Sequence, residues 1–169
     1  MKKYVLTGGP SAGKTTLIEI LARRGYTVIP EAARLVIDEE KTKGGNPFGD
    51  FATLQKKIVA KQLEQESTMT GDVVFLDRSL IDGYAYCLYG NIPVPPEIMN
   101  IERGKFDKVF LLQPTGAQKK DTDTLSHRKD FDQIQENLRL AYQKFGYELT
   151  EVPPLPPEER ADFVIAAIQ

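Results

Sequence analysis

The chain has 169 residues, of which 41% are hydrophobic and 27% are charged, and its formal net charge is −2. This length corresponds to about one domain, and the charge excludes the strongly basic surface typical of proteins that bind nucleic acid or anionic membranes. Cys87 is the only cysteine, which excludes an internal disulfide and fits a reducing compartment. We expect one cytoplasmic globular domain over residues 1–169, without nucleic-acid or membrane partners; its oligomeric state is left open.

Short apolar runs alternate with longer helical patterns along the chain, which is typical of βαβ units around a parallel sheet. Four of the five runs show little polar alternation, as expected for strands that are covered on both faces. The fifth is more polar, which suits an edge strand. The predicted strands are Tyr4–Leu6, Thr27–Ile29, Val73–Leu76, Val109–Leu112 and Tyr147–Glu151.

Helices are predicted between the strands from apolar residues at helical spacing and from flanking glycine and proline. They cover Thr15–Arg24, Phe51–Gln65, Ser79–Tyr89, Pro95–Arg103, Asp130–Phe145 and a last segment that begins after Pro157. Two polar stretches, Lys41–Asp50 and Gln113–Lys129, are predicted as loops. Because the second exceeds the usual loop length, we predict that residues 113–129 form a closing lid.

The most informative motif lies between the first strand and the first helix, where residues 8–15 match G-x-x-x-x-G-K-S/T at every specified position. In this context the glycine-rich backbone turns its N–H groups toward phosphate oxygens, and the positive end of the following helix adds to the attraction. We predict that Lys14 reaches the β- and γ-phosphates and that the Thr15 hydroxyl ligates Mg²⁺. The predicted nucleotide-binding residues are Gly8, Gly9, Pro10, Ser11, Ala12, Gly13, Lys14, Thr15 and Thr16.

A second candidate group follows the third strand, which ends in Asp77-Arg78-Ser79. A carboxylate at that position lies beside the phosphate loop and can hold Mg²⁺ directly or through water. Hydrolytic motors usually place Glu after this Asp; here Arg78 follows, and its guanidinium can grip a phosphate or stabilise charge on the transferring group. The alternative is a strand end at which Asp77 caps the next helix and Arg78 forms a surface ion pair.

Glu31 and Arg34 follow the second strand, whose carboxyl end lies on the same rim as the phosphate loop. A kinase that acts on a hydroxyl needs a carboxylate to orient the hydroxyl or accept its proton, and Glu31 is our candidate. The alternative is that Glu31 sits early in a helix after Pro30, where the helix dipole favours it.

Basic residues of the predicted lid form a third group: Lys119, Lys120, His127, Arg128 and Lys129. Cations on a closing segment can cover the triphosphate and exclude water, and Arg128 is the preferred lid residue because it adjoins the next helix. The alternative is a solvated basic loop. A catalytic role for His127 is not expected.

Four segments together resemble the NadR-like P-loop ATPases and kinases: GGPSAGKTT, VIPEAAR, VVFLDRS and ELTEVPPLPPEER. The resemblance implies a three-layer α/β/α sandwich around a five-stranded parallel sheet, and a similarity to ribosylnicotinamide kinase domains. Deoxyribonucleoside kinases are more distantly similar. They carry a Pro-Glu pair where this chain has Pro30-Glu31, and an acidic-Arg-Ser triplet where it has Asp77-Arg78-Ser79.

These observations favour an ATP- and Mg²⁺-dependent kinase for a small hydroxylated metabolite, such as a nucleoside or ribosyl compound like ribosylnicotinamide. Lys14, Glu31, Asp77, Arg78 and Arg128 are the predicted catalytic residues, and Thr15 and Asp77 the predicted metal ligands. The alternative is a regulatory NTPase or switch module that has no phosphate acceptor.

Overall fold

The computed structural model describes residues 1–115 and 128–169, with residues 128 and 129 described as backbone only. Within these residues the chain forms five strands and seven helices. The strands are β1 (Lys2–Thr7), β2 (Thr27–Ile29), β3 (Val73–Asp77), β4 (Lys108–Leu112) and β5 (Leu149–Val152). The helices are α1 (Lys14–Arg23), α2 (Ala32–Thr42), α3 (Phe51–Ser67), α4 (Leu80–Tyr89), α5 (Pro96–Met99), α6 (Arg128–Lys144) and α7 (Pro157–Ala166).

The strands form one parallel sheet in the order β2-β3-β1-β4-β5. In its central pairs, Val5 of β1 lies opposite Leu76 of β3 and Val109 of β4. Because all strands run the same way, their carboxyl ends share one rim, where ligands of open α/β sheets bind. The loop that follows the central strand β1 therefore lies in the middle of that rim.

Successive strand residues enter two separate cores, one on each face of the sheet. Val5 and Leu76 pack with α4 and α6 on one face, whereas Leu6 and Phe75 pack with α1 and α7 on the other. Full burial of both faces explains why β1, β3 and β4 are apolar without strict alternation. The predicted three-layer α/β/α architecture is confirmed.

Some element bounds differ from those predicted. Helix α2 is the largest addition: of its eleven residues only Ala32 and Val36 are buried, its apolar residues all lie within residues 32–37, and residues 38–42 are polar. The fifth strand begins at Leu149 because Tyr147 belongs to the preceding turn, where its ring contacts Phe106 and Tyr142. Helix α5 has four residues and ends at Met99. No helix in residues 1–115 or 128–169 combines the length and hydropathy needed to span a membrane.

Candidate active site at the carboxyl rim

The phosphate loop joins the end of β1 to the start of α1 and has a backbone that depends on glycine. Gly13 precedes the helix with φ of 88°, in the left-handed region that other residues adopt at a cost. Gly9 is required for a different reason, because a Cβ there would lie 2.5 Å from Cε2 of Phe131 on α6. The loop is thus held against α6 as well as against its own strand and helix.

Lys14 is buried and folds back over the loop. Its Nζ donates hydrogen bonds to the carbonyl oxygens of Gly8, at 3.0 Å, and of Gly9, at 2.9 Å. Burial, assisted by the positive charge of Arg78, lowers the pKa of Lys14 to about 8. The ammonium group therefore lies in the loop cradle with little water around it, where an anion would stabilise its charge.

Asp77 ends β3 beside this lysine and is 3% exposed. Its Oδ1 is buried and has no hydrogen-bond partner in the described part of the chain. Burial raises the pKa of Asp77 to about 6; the charge of Lys14 opposes that rise and the charge of Glu31 adds to it. An unpartnered buried carboxylate oxygen is costly, and a cation or a donor from a ligand would relieve that cost.

Glu31 immediately precedes α2 and forms an ion pair with Arg78, in which Nε of Arg78 lies 3.0 Å from Oε1 of Glu31. Burial alone would raise the pKa of Glu31, but the positive charges of Arg78 and Lys14 outweigh burial and hold the pKa below its ordinary value. Glu31 is therefore ionised at neutral pH. The pKa values of the two rim carboxyls, Glu31 and Asp77, are displaced in opposite directions.

Arg78 has a left-handed backbone, with φ of 72°, and its N–H donates to the carbonyl of Leu6 at 3.0 Å. Such a conformation is rare for a residue with a long side chain and marks a constrained site. The guanidinium contacts Glu31, Asp82 and the face of Tyr86, whose ring centroid lies 5.2 Å from Cζ of Arg78. The structure thus places the guanidinium of Arg78 between Glu31 and Asp82.

Asp82 supports Arg78 from below and was not identified from the sequence. Its Oδ1 accepts hydrogen bonds from Arg78, at 3.0 Å, and from the Thr7 hydroxyl, at 2.6 Å. Its Oδ2 accepts from the Ser79 N–H and from the Tyr142 hydroxyl. Ser79 caps α4 in return, so the Ser79-to-Asp82 spacing forms a capping box. That spacing was the one feature of the sequence that could have identified Asp82.

Two more residues hold the loop from distant helices. Gln135 of α6 accepts a hydrogen bond from the Gly9 N–H at 2.7 Å and donates to the carbonyl of Leu112. Arg160 of α7 donates to the carbonyl of Ala12 at 2.6 Å. Arg160 is the last residue of the segment ELTEVPPLPPEER, but neither residue was predicted to contact the loop.

Three other residues discussed in the sequence analysis, Thr15, Thr16 and Arg34, are exposed on helices α1 and α2. Thr15 and Thr16 are exposed in the first turn of α1. Arg34 is exposed on α2, and its charge helps to lower the pKa of Glu31.

The predicted lid is only partly described. Lys119, Lys120 and His127 lie outside the described residues, and Arg128 and Lys129 are described as backbone at the start of α6. The assignment of residues 113–129 as a lid, with Arg128 as its arginine, therefore stays a prediction.

The donor set at this rim fits Mg²⁺. Asp77 offers a buried oxygen that lacks a partner, and Thr15 offers an exposed hydroxyl on the adjoining helix. Among the described residues there is no group of three or more His, Cys, Asp or Glu side chains that could hold a metal. Mg²⁺ in phosphate-transfer sites takes one or two carboxylates and completes its shell with water and phosphate oxygens.

A family model described as "AAA domain" matches residues 3–160. The chain belongs to this AAA domain family. No curated protein matches the sequence.

Solved structures show the fold of this AAA domain in other proteins. A deoxyadenosine kinase from M. mycoides has a TM-score of 0.71 at 14% identity, over 98% of this chain and 97% of that one. A thymidylate kinase from Ehrlichia chaffeensis has a TM-score of 0.71 at 13% identity, over 99% of this chain and 98% of that one. NadR in complex with NR has a TM-score of 0.73 at 18% identity, over 99% of this chain and 50% of that one.

These likenesses confirm, at the level of fold, the predicted resemblance to NadR and to the nucleoside and nucleotide kinases. This AAA domain has the three-layer P-loop NTPase fold. It spans about half of the NadR chain.

Proposed function

We propose that the protein is an ATP- and Mg²⁺-dependent kinase that transfers the γ-phosphate to a hydroxyl of a small metabolite, with a nucleoside or ribosyl compound as the acceptor. The observation that carries the proposal is the ionised Glu31, which Arg78 holds on the rim close enough to Lys14 for the lysine to lower its pKa. A carboxylate held ionised beside a phosphate loop is what hydroxyl phosphorylation needs.

In the proposed reaction the acceptor hydroxyl donates a hydrogen bond to Glu31 and its oxygen attacks the γ-phosphorus. The new oxygen–phosphorus bond forms as the bond between the γ-phosphorus and the β,γ-bridging oxygen breaks. The hydroxyl proton passes to Glu31, and ADP leaves with the electron pair of the broken bond.

The loop residues bind and orient the donor in this proposal. Lys14 exchanges its contacts with the Gly8 and Gly9 carbonyls for phosphate oxygens, which restores a charge partner to a buried ammonium group. Thr15 and Asp77 would hold Mg²⁺, which neutralises the charge that develops on the phosphates. Arg78 orients Glu31. The proposal also includes a direct contact of Arg78 or Arg128 with the transferring phosphate, which would neutralise the charge that develops there.

The acceptor class is supported by what the similar structures contain. NadR was solved in complex with NR, and the deoxyadenosine kinase with the products dCMP and dCDP. Tyr86, beside Arg78 and Glu31, offers an aromatic ring on which a flat acceptor could pack. We infer a ring-bearing acceptor that presents a hydroxyl to Glu31.

An acceptor screen tests the proposal. Purified protein is incubated with ATP and Mg²⁺ and with nucleosides and ribosyl compounds, and ADP and phosphorylated product are measured together. We expect one group of acceptors to give stoichiometric ADP and product. Glu31→Gln should lower kcat by about 10²–10⁴-fold, as for loss of a general base. Glu39→Gln, an exposed change on the same helix α2, is the matched control and should leave kcat unchanged.

Two results would contradict the kinase proposal. One is that no acceptor increases ADP formation; the other is that Glu31→Gln leaves every activity unchanged. ATP hydrolysis that is indifferent to all acceptors would favour the alternative, a regulatory NTPase or switch.

A further inference from the structure

Arg160 is the largest fully buried side chain of the described residues, and it lies against the phosphate loop. Its three guanidinium nitrogens each donate to a backbone carbonyl from a different segment. Nη1 contacts Ala12 of the loop at 2.6 Å, Nε contacts Pro153 after β5 at 3.0 Å, and Nη2 contacts Gln113 after β4. A Cβ on Gly13 would lie 3.2 Å from Nη1.

No carboxylate in the described part of the chain lies within ion-pair distance of this guanidinium. Arg78, which is also buried, has two carboxylate partners, Glu31 and Asp82. Arg24, which packs on the same helix pair as Arg160, is paired with Glu158 and Asp162 at the surface. Burial lowers the pKa of Arg160, but an arginine stays protonated at any physiological pH.

A buried cation without a counter-ion is costly unless something compensates it, and carbonyl dipoles compensate it only in part. The structure places this charge directly behind the segment whose N–H groups are expected to face phosphate. We propose that the phosphate chain of the nucleotide is the counter-ion of Arg160, acting across the thickness of the loop. Arg160 is thus a positioning and charge-supplying residue that does not touch the ligand. The inference rests on the proposed binding of a triphosphate.

The expected size follows from electrostatics. Two unit charges about 8 Å apart at an effective dielectric constant of about 20 interact strongly enough to change an affinity roughly tenfold to thirtyfold. Arg160→Gln keeps hydrogen-bond donors but removes the charge, so we expect it to weaken phosphate binding by about that factor. Arg160→Lys keeps the charge and loses the three-way fork, so its affinity should stay within about threefold of the unmodified protein.

Isothermal titration with Mg²⁺-ATP and with inorganic tripolyphosphate, which has no base or ribose, tests this inference. We expect Arg160→Gln to lose affinity for both ligands by similar factors. Arg24→Gln is the matched control and should bind both ligands normally. If Arg160→Gln bound weakly only because it had lost structure, its melting temperature would fall, and Arg160→Lys would not recover the affinity.

Three results would overturn the inference: tripolyphosphate binding by folded Arg160→Gln within twofold of the unmodified protein, a loss confined to ATP, or an Arg160→Lys variant as weak as Arg160→Gln. If Arg160→Gln does not fold, Arg160→Lys decides alone, and a tenfold loss of tripolyphosphate affinity counts against the role of charge. Failure of the unmodified protein to bind either ligand would overturn the proposed triphosphate site and this inference with it. Normal binding by the variants would overturn only this inference.

Discussion

Replacement of Asp77 by asparagine is expected to stabilise the protein while removing its function. The folded state raises the pKa of Asp77 to about 6, from about 3.9 in an unfolded chain. A shift of about two units corresponds to a penalty of roughly 3 kcal/mol for the ionised form at neutral pH. The asparagine amide would also be buried without a full set of hydrogen-bond partners, which offsets part of that difference. We therefore expect Asp77→Asn to raise the free energy of unfolding by about 1–2 kcal/mol.

The size of this stabilisation depends on pH in a defined way. Below about pH 3 the carboxyl is protonated in both the folded and the unfolded state, so burial of Asp77 carries no ionisation penalty. As the pH rises from about 4 to about 6, the unfolded state ionises first and the folded state loses stability relative to it. The advantage of Asp77→Asn should therefore be small at pH 4 and should reach its full value above about pH 7.

Urea denaturation at pH 4, 5.5 and 7.5 measures this difference in the free energy of unfolding. Asp72→Asn, an exposed change just before the same strand, is the control and should show little effect at any of the three values. With Mg²⁺-ATP present the order should reverse, because the ligand stabilises the unmodified protein more than the variant. The reasoning is refuted if Asp77→Asn is less stable than the unmodified protein at pH 7.5 without ligand, or if its advantage does not change with pH.

Three further predictions follow from the loop and its supports. Lys14 has a pKa of about 8 and needs its proton to bind phosphate, so the affinity for Mg²⁺-ATP should fall above pH 8 and binding at pH 9 should take up a proton. Calorimetry in buffers of different ionisation enthalpy measures the number of protons taken up, and a value of zero would contradict the prediction. Gly9→Ala should cost about 1–3 kcal/mol of overpacking against Phe131; denaturation of the double variant with Phe131→Leu should recover part of the cost, and strict additivity would count against the contact. Tyr142→Phe removes a buried donor to Asp82 and should cost about 1–3 kcal/mol by urea denaturation, whereas an unchanged midpoint would show that the network does not need it.

Local patterns predicted the sheet and the chemistry that lies within single motifs. The phosphate loop, Glu31 and Asp77 each follow a strand directly, so strand prediction alone placed them on one rim. The contacts that support them join distant parts of the chain: Tyr142 and Asp82 are 60 residues apart, and Arg160 and Ala12 are 148 residues apart. Such contacts depend on how helices dock, which no local pattern encodes.

The role of Arg78 shows the same limit more sharply. Its position after Asp77 predicted a guanidinium near the phosphates, and the structure places it on the rim. Its ion pair with Glu31 and its left-handed backbone were not predictable, because they depend on how the segments that follow β2 and β3 approach each other at the rim. Helix α2 itself was not predicted because its apolar residues all lie within residues 32–37, a run too short to show several helical turns, and residues 38–42 are polar.

The strand order has a consequence for how the protein is made. The strand that carries the phosphate loop, β1, emerges from the ribosome before both of its sheet neighbours, because its partners in β3 and β4 begin at residues 73 and 108. During synthesis the backbone edges of β1 therefore stay unpaired, and its apolar side chains stay exposed, until most of the described chain has been translated. This exposure favours binding by chaperones or by other nascent chains. We expect ribosome-bound chains that stop before residue 108 to lack the protease resistance of the finished sheet, so that the nucleotide site is among the last parts of the molecule to form.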